Sequence, residues 1–174
     1  MHQHRITAFA MTLAFITMLG APALTMGAEV FKAKMNGFRE VPPNSTTATG
    51  AFKATISDDN TSIAYELTYN GLEAPVTQAH IHFGQIFVSA GISVFLCQTP
   101  TSPDPSGVAP ACPQSGTVTG TFTAANVVGP TMQGINPGEF AKLLEAMRRG
   151  ETYANVHSQK FPAGEIRGQL IRGF

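Results

Sequence analysis

The sequence predicts a domain built mainly of antiparallel β-strands, a sandwich or a barrel, with one helix inserted near its C-terminal end. Short segments in which apolar and polar residues alternate recur along the chain, and turn residues separate them. One later segment has the three- and four-residue spacing of a helix instead. About eight short strands with a single helix are typical of an antiparallel sandwich or barrel.

The predicted strands follow one another from residue 30 to residue 171. The third segment shows the pattern well, because Ile63, Tyr65 and Leu67 share one face and the turn "SDDN" precedes them. In chain order the segments are "VFKAKMNG" (30–37), "ATGAFKATISDD" (48–59), "TSIAYELTYNG" (61–71), "TQAHIHFG" (77–84), "SVFLC" (93–97), "GTVTGTFT" (116–123), "TYANVHS" (152–158) and "EIRGQLI" (165–171).

The inserted helix is predicted near residues 137–149. Asn136 is the expected N-cap, Pro137 stands at the first helical position, and Glu139 at the third resembles a capping box. Gly150 can close the helix. The apolar stripe comprises Phe140, Leu143, Leu144 and Met147.

The N-terminus resembles a secretory signal peptide over residues 1–28. One arginine is followed by an apolar run over residues 6–20 and by "APA", a set of small residues suited to cleavage. Cleavage is expected between residues 23 and 28, which leaves one domain, residues 29–174, with no membrane span. The mature protein is therefore expected to be secreted or periplasmic.

Charge and motifs exclude several classes of function. Without Arg5, the eleven basic residues become ten against eleven acidic ones, and no basic stripe indicates nucleic acid. The sequence has no Gly-x-Ser-x-Gly elbow, phosphate-binding Walker loop or Gly-x-Gly-x-x-Gly motif. Whether the protein is an enzyme is left open, with binding favoured over catalysis.

Cys97 and Cys112 are the two cysteines of the chain. An even pair in an exported protein predicts a disulfide. The segment between them contains four prolines, so the bond is expected to staple a long loop. Closing this ring stabilises the fold by about 3 kcal/mol.

The segment "TQAHIHFG" places two histidines two residues apart. Strand side chains alternate, so His80, His82 and Gln78 project to the side opposite Ile81. If Ile81 faces the core, we expect the histidine rings to face solvent or a polar cleft.

A second polar row is predicted on the hairpin formed by residues 152–158 and 165–171. Pairing His157 with Glu165 also pairs Asn155 with Arg167. This register puts these polar side chains on one face.

Three interpretations of the polar residues remain open. His80, His82 and His157 can bind Cu or Zn, with Glu165 or water as a further ligand. The same residues can form a hydrogen-bonded cluster with a structural role. They can also belong to a binding surface without metal.

Three quoted motifs together resemble the CHRD domain, named for chordin. They are "EVPPNSTTATG" (40–50), "AHIHFG" (79–84) and "YANVHSQKFPAGEIRGQL" (153–170), in that order. The resemblance runs from about residue 31 to residue 170. It implies a Greek-key β-sandwich, immunoglobulin-like or Cu/Zn-superoxide-dismutase-like, and no settled activity. The residues that match the motifs are His80, His82, Asn155, His157, Gly164, Glu165 and Arg167.

The resemblance favours a non-enzymatic binding module of the cell envelope. An extracellular or envelope protein, or a polymer, is its expected partner. The alternative is a copper- or zinc-binding protein that uses the three histidines.

Overall fold

The computed structural model describes residues 28–173. The predicted signal peptide therefore lies, except for Ala28, outside the described residues. Within the described range, no helix is long and apolar enough to cross a membrane.

The described part of the chain folds into nine strands and one α-helix. The helix is α1 (Phe140–Arg148), and short 3-10 turns lie at Gly37–Arg39, Ala124–Asn126 and Thr131–Gln133. The strands are β1 (Val30–Asn36), β2 (Thr49–Ile56), β3 (Ser62–Asn70), β4 (Val76–Phe83), β5 (Ile92–Cys97), β6 (Gly116–Thr123), β7 (Thr152–Ser158), β8 (Ile166–Gln169) and β9 (Ile171–Arg172).

The strands form one sheet in the order β5-β4-β7-β8-β1-β2-β3-β6, and β9 pairs with β1 beyond β8. All of these pairs are antiparallel. The two ends of the sheet approach each other, because the Tyr65 hydroxyl donates to the Leu96 carbonyl at 2.6 Å. The Val128 N–H likewise donates to the Ser93 carbonyl at 2.9 Å. The prediction of a mainly antiparallel β domain is confirmed as a nearly closed sheet, and the immunoglobulin-like or dismutase-like assignment stays a prediction.

The core lies inside this curved sheet. Alternate residues of the strands point inward, as Phe31, Leu67 and Ile81 do, and each is fully buried. The helix adds Leu143 and Met147 to the same core. Burial of these side chains is the main favourable term in folding.

The helix starts three residues later than the sequence predicts. Gly138 has φ +84°, which is outside the right-handed helical region, so residues 137–139 form a turn and α1 begins at Phe140. Half of the predicted capping box remains, since the Glu139 carboxylate accepts from the Asn136 N–H at 2.7 Å. Gly150, at φ +75°, ends the helix as predicted.

The predicted disulfide between Cys97 and Cys112 is confirmed. It ties the end of β5 to the proline-rich loop that precedes β6. Cys97 is fully buried, and Cys112 packs against the core. The bond therefore anchors the long loop to the inner face of the sheet.

Candidate metal centre

His80 and His82 lie on β4, and His157 lies on the neighbouring strand β7. The β4–β7 register pairs Gln78 with His157 and His80 with Asn155. The rings of His80 and His82 have centroids 5.3 Å apart, so both project to the same side of β4. His157 joins them, with its ring centroid 4.9 Å from that of His80. The sequence therefore predicted correctly that strand alternation brings the three rings together.

The histidines do not face solvent. His80 is 0% exposed, and His82 and His157 are each 6% exposed. Strand alternation indicates the outer side of the sheet but not whether another segment covers that side. Of the two predicted alternatives, the solvent-exposed one is wrong, and the three imidazoles lie in a small buried polar layer outside the main core.

Residues 84–91, here called the cover loop, close one side of this layer. The Ala90 carbonyl lies 2.8 Å from Nδ1 of His82, and the Ala90 N–H donates to the Tyr153 hydroxyl at 3.1 Å. The Tyr153 ring stacks on the His82 ring at a centroid distance of 4.7 Å. Both aromatic residues are thus held between the sheet and the cover loop.

Arg167 fastens the cover loop to β8. Its guanidinium donates to the Val88 carbonyl at 2.9 Å and to the Gln85 carbonyl at 2.8 Å. The guanidinium carbon also lies 3.4 Å from the centroid of the Tyr153 ring, a cation–π contact. Burial lowers the pKa of Arg167.

The hydrogen bonds of the imidazoles fix which ring nitrogens are free. A carbonyl oxygen can only accept, so Nδ1 of His82 donates to Ala90, and Nδ1 of His157 donates to Pro162 at 2.9 Å. Nε2 of both rings is therefore left with a lone pair. Within the described residues, Nε2 of His82 and Nε2 of His80 have no hydrogen-bond partner.

The three histidines bring ring nitrogens close enough together to bind one ion. One ligand atom from each histidine falls within 4.8 Å of the others, and Nδ1 of His80 lies 3.2 Å from Nε2 of His157. Two imidazole nitrogens bound to one tetrahedral zinc ion lie about 3.3 Å apart, given zinc–nitrogen distances of about 2.0–2.1 Å. Metal-binding histidines also usually donate their second N–H to a carbonyl or carboxylate, as His82 and His157 do here. The residues thus fit a three-histidine metal centre.

Burial keeps the three imidazoles neutral. Burial is the largest of the effects that lower the pKa of His82 to about 3; the Ala90 hydrogen bond opposes it, and repulsion from His157 and Arg167 adds to it. Burial is also the largest cause that lowers the pKa of His80 and of His157. Neutral rings bind a metal without first releasing a proton.

Glu165 is not brought to the three histidines. One oxygen of its buried carboxylate accepts from the Thr46 hydroxyl and from the Glu73 N–H, both at 2.8 Å. Glu165 lies just before β8 and serves instead to hold two loops from distant parts of the sequence. The three-residue group that could hold an ion does not include it.

The other predicted polar residues lie around the cluster. The β7–β8 register pairs Asn155 with Arg167, as predicted. Asn155 donates to the Ile166 carbonyl at 3.0 Å and also to the Glu40 carboxylate. Gln78 is half-buried and lies opposite His157 in the ladder.

Glu40 and Tyr153 also belong to this site, although neither was predicted as a site residue. Glu40 is 7% exposed, and burial raises its pKa to about 7 against the opposing effects of Asn155 and Arg167. Glu40 begins the motif "EVPP" in a chain with few charged residues, and this position could have identified it as a site residue. Tyr153 lies on the same predicted strand face as Asn155 and His157. Strand alternation could therefore have identified it as a site residue.

Comparison with known proteins gives one match. The family model of the CHRD domain matches residues 31–170. No curated protein and no solved structure matches the chain. The matched range contains every residue of the three-histidine cluster and of its surroundings described above.

Proposed function

The chain belongs to the CHRD domain family, and from that premise we propose that it is an exported, non-enzymatic binding module whose ligand is one copper or zinc ion. His80, His82 and His157 are the proposed ligands. One observation carries the proposal: the three buried imidazoles bring one ring nitrogen each within 4.8 Å of the others, and the lone pair on Nε2 of His82 has no partner among the described residues. A metal ion bound between the three rings satisfies that lone pair.

A purely hydrogen-bonded cluster accounts less well for the same residues. Buried polar atoms almost always have a partner, because leaving one without a partner costs about 1–3 kcal/mol. The cluster has a single contact between rings, from His80 to His157, and Nε2 of His82 remains without a partner. Metal binding removes this cost, whereas the structural interpretation leaves it in place.

Burial supports binding over catalysis at this centre. A catalytic metal keeps an open position for substrate. The cover loop, the Tyr153 ring and the Phe95 ring, whose centroid lies 4.4 Å from that of His80, enclose the cluster. An ion held here is shielded from external substrates.

Export is the other part of the proposal. It is supported by the signal-like N-terminus and by the disulfide, which is typical of oxidising compartments. An envelope protein or polymer as a further partner stays a prediction, tested by capture from envelope extracts with the purified protein.

Metal analysis of the untagged protein tests the proposal. We expect close to one copper or zinc ion per chain, and a higher melting temperature when the ion is added back to chelated protein. A ligand that prefers the folded state at one hundred times its Kd adds about 2.7 kcal/mol of stability. His157→Gln, which keeps a polar side chain of similar size, should lose both the metal and the melting shift.

The matched control is Met132→Ala, at an exposed position distant from the cluster in the chain. It should keep the metal and the shift. Metal-free protein whose melting temperature does not change with Cu⁺, Cu²⁺ or Zn²⁺ would contradict the proposal. Equal metal content in the wild type and in His157→Gln would contradict the assignment of these ligands.

A further inference from the structure

A groove on the outer side of the sheet lies beside the cover loop; Arg167 lines it, but none of the three histidines does. It has a volume of about 780 Å³, within the range of about 300–1,000 Å³ typical of small-molecule sites. Its floor is the outer face of β1, β2 and β9. The 3-10 turn Gly37–Arg39 forms one wall, and the cover loop forms the other.

The walls of the groove carry large apolar side chains that are exposed. Phe38 is 73% exposed and Phe87 is 77% exposed, and Ile86 and Ile171 lie beside them with more than half of their surface exposed. A contiguous apolar patch of this kind usually marks a binding surface. The residues here converge on one groove.

Phe87 adds a second observation, from the backbone. Its φ is +65°, in the left-handed region that aromatic residues rarely adopt. Glycine or asparagine would adopt this backbone conformation at a lower cost in free energy. Because the Phe87 ring is exposed, its burial does not offset that cost. An exposed aromatic ring in an unfavourable backbone position indicates a binding role.

The floor of the groove is positively charged. Lys32 and Lys53 lie directly opposite each other on β1 and β2, an arrangement that destabilises a sheet, and Lys34 follows on the same face. Among the residues that the structure describes, none of these lysines lies within 4.0 Å of a carboxylate. Glu66 on β3 is the one acidic residue among the described lining residues, and it lies directly opposite Lys53. Three lysines thus face one carboxylate, and the floor offers a net positive charge to a ligand.

We propose that this groove binds a long-chain fatty carboxylate, with the acyl chain against Phe38 and Phe87 and the carboxylate at the lysines of β1 and β2. Apolar walls above a cationic floor match an amphiphile that is both apolar and anionic. A second copy of the chain fits less well, because a symmetric contact through this face would bring two rows of lysines together. The proposal concerns a site separate from the metal centre.

Calorimetric titration with dodecanoate tests the proposal. We expect saturable binding of one dodecanoate per chain, and at least tenfold weaker binding of dodecyltrimethylammonium, which has the same chain and a cationic head. Hexanoate should also bind at least tenfold more weakly. Chelated protein should bind dodecanoate with unchanged affinity, so this result does not depend on whether the histidines hold a metal.

Two variants and two controls locate the site. The double variant Lys34→Gln/Lys53→Gln should bind dodecanoate at least tenfold more weakly, and so should Phe87→Asn, which suits the left-handed turn. Lys142→Gln and Met132→Asn, exposed residues outside the groove, should leave binding unchanged. An unchanged urea denaturation midpoint in the groove variants shows that they remain folded.

Three results would overturn the proposal. One is the lack of saturable dodecanoate binding. Another is equal affinity for the anionic and cationic amphiphiles, which would indicate unspecific adsorption to apolar surface. The third is a concentration-dependent dimer that Phe87→Asn abolishes, which would make a second copy of the chain the occupant.

Discussion

Glu40 is an acidic residue buried beside the polar layer, and its protonation links stability to pH. Burial raises its pKa to about 7 from an ordinary value of 4.5. The folded state therefore holds a proton between pH 4.5 and 7 that the unfolded state releases. Stability contributed by the protonated carboxyl is lost as the pH rises through this window.

Glu40→Gln should remove this loss. The amide oxygen can still accept from Asn155, and the side chain no longer ionises. Because each pKa unit corresponds to about 1.4 kcal/mol, the shift from 4.5 to about 7 predicts that the variant is more stable than the wild type by about 3 kcal/mol at pH 8.5. At pH 4 the two proteins should be nearly equal. Urea denaturation of chelated protein at both pH values measures the difference.

The buried histidines also titrate, but their effect is common to both proteins. Their lowered pKa values remove stability from wild type and variant alike as the pH falls below about 6.5. Asn155→Ala, which removes the hydrogen-bond donor and leaves the carboxyl, is the control and should be destabilising at both pH values. A Glu40→Gln advantage that is the same at pH 4 and pH 8.5 would show that Glu40 does not titrate in this window.

Residue-level prediction succeeded where it depended on strand alternation. His80 and His82 share a side, and Asn155 pairs with Arg167, because a period of two determines both relations. Glu165 shows the limit of this argument. Its partner Thr46 is 119 residues away in the chain, and no local pattern encodes a contact made through loops.

At the level of elements, β8 can pack against β1 only because it contains a glycine. A Cβ at Gly168 would lie 2.5 Å from the Lys34 carbonyl oxygen on β1. The obstacle is backbone, which cannot rotate away as a side chain can. Gly168→Ala must therefore push the two strands apart.

We expect Gly168→Ala to lower the free energy of unfolding by about 2–3 kcal/mol, the upper part of the range for overpacked positions. Gly173→Ala is the matched control, because its Cβ would meet the Val30 carbonyl oxygen at an ordinary 3.5 Å. The control should change stability by less than about 0.5 kcal/mol. Chemical denaturation of both variants measures the effect, and equal stabilities would show that β8 adjusts without cost.

Element prediction was accurate for strands and less so for the helix boundary. All eight predicted segments contain strands, and "EIRGQLI" covers β8 and the first residue of β9. The start of α1 was wrong because Pro137 and Glu139 suit a first helical turn, whereas Gly138 between them adopts a left-handed conformation. A capping pattern reports hydrogen bonds near a helix start, not the backbone angles of every residue in it.

At the scale of the molecule, the order of strands and the cover over the outer face lay beyond the sequence patterns. Pairing of β4 with β7 joins segments about 75 residues apart, and the motifs alone do not specify that β8 then pairs with β1. The sequence of the cover loop has no regular spacing of apolar residues that would predict its position. Its position depends on Tyr153 of β7 and Arg167 of β8, which are distant from it in the sequence. The sequence could thus predict a histidine cluster but not its burial.

That burial has a consequence for which ion the proposed centre prefers. The three imidazoles are neutral, Glu165 lies elsewhere, and the Arg167 cation is close enough to depress the pKa of His82. The cost of moving an ion out of water grows with the square of its charge, so a divalent ion costs roughly four times as much as a monovalent one. The site therefore favours Cu⁺ over Zn²⁺ more than the ligand types alone would suggest.

Competition with chelators under anaerobic, reducing conditions measures this preference. We expect Cu⁺ to bind at least tenfold more tightly than Zn²⁺. Arg167→Gln removes the nearby cation and keeps a hydrogen-bond donor for the cover loop, so it should strengthen Zn²⁺ binding by about tenfold and change Cu⁺ binding much less. Wild-type protein that prefers Zn²⁺, or a variant in which both affinities shift equally, would mean that charge does not govern selectivity. The selectivity would then have to come from the positions of the three nitrogens, which the variant leaves in place.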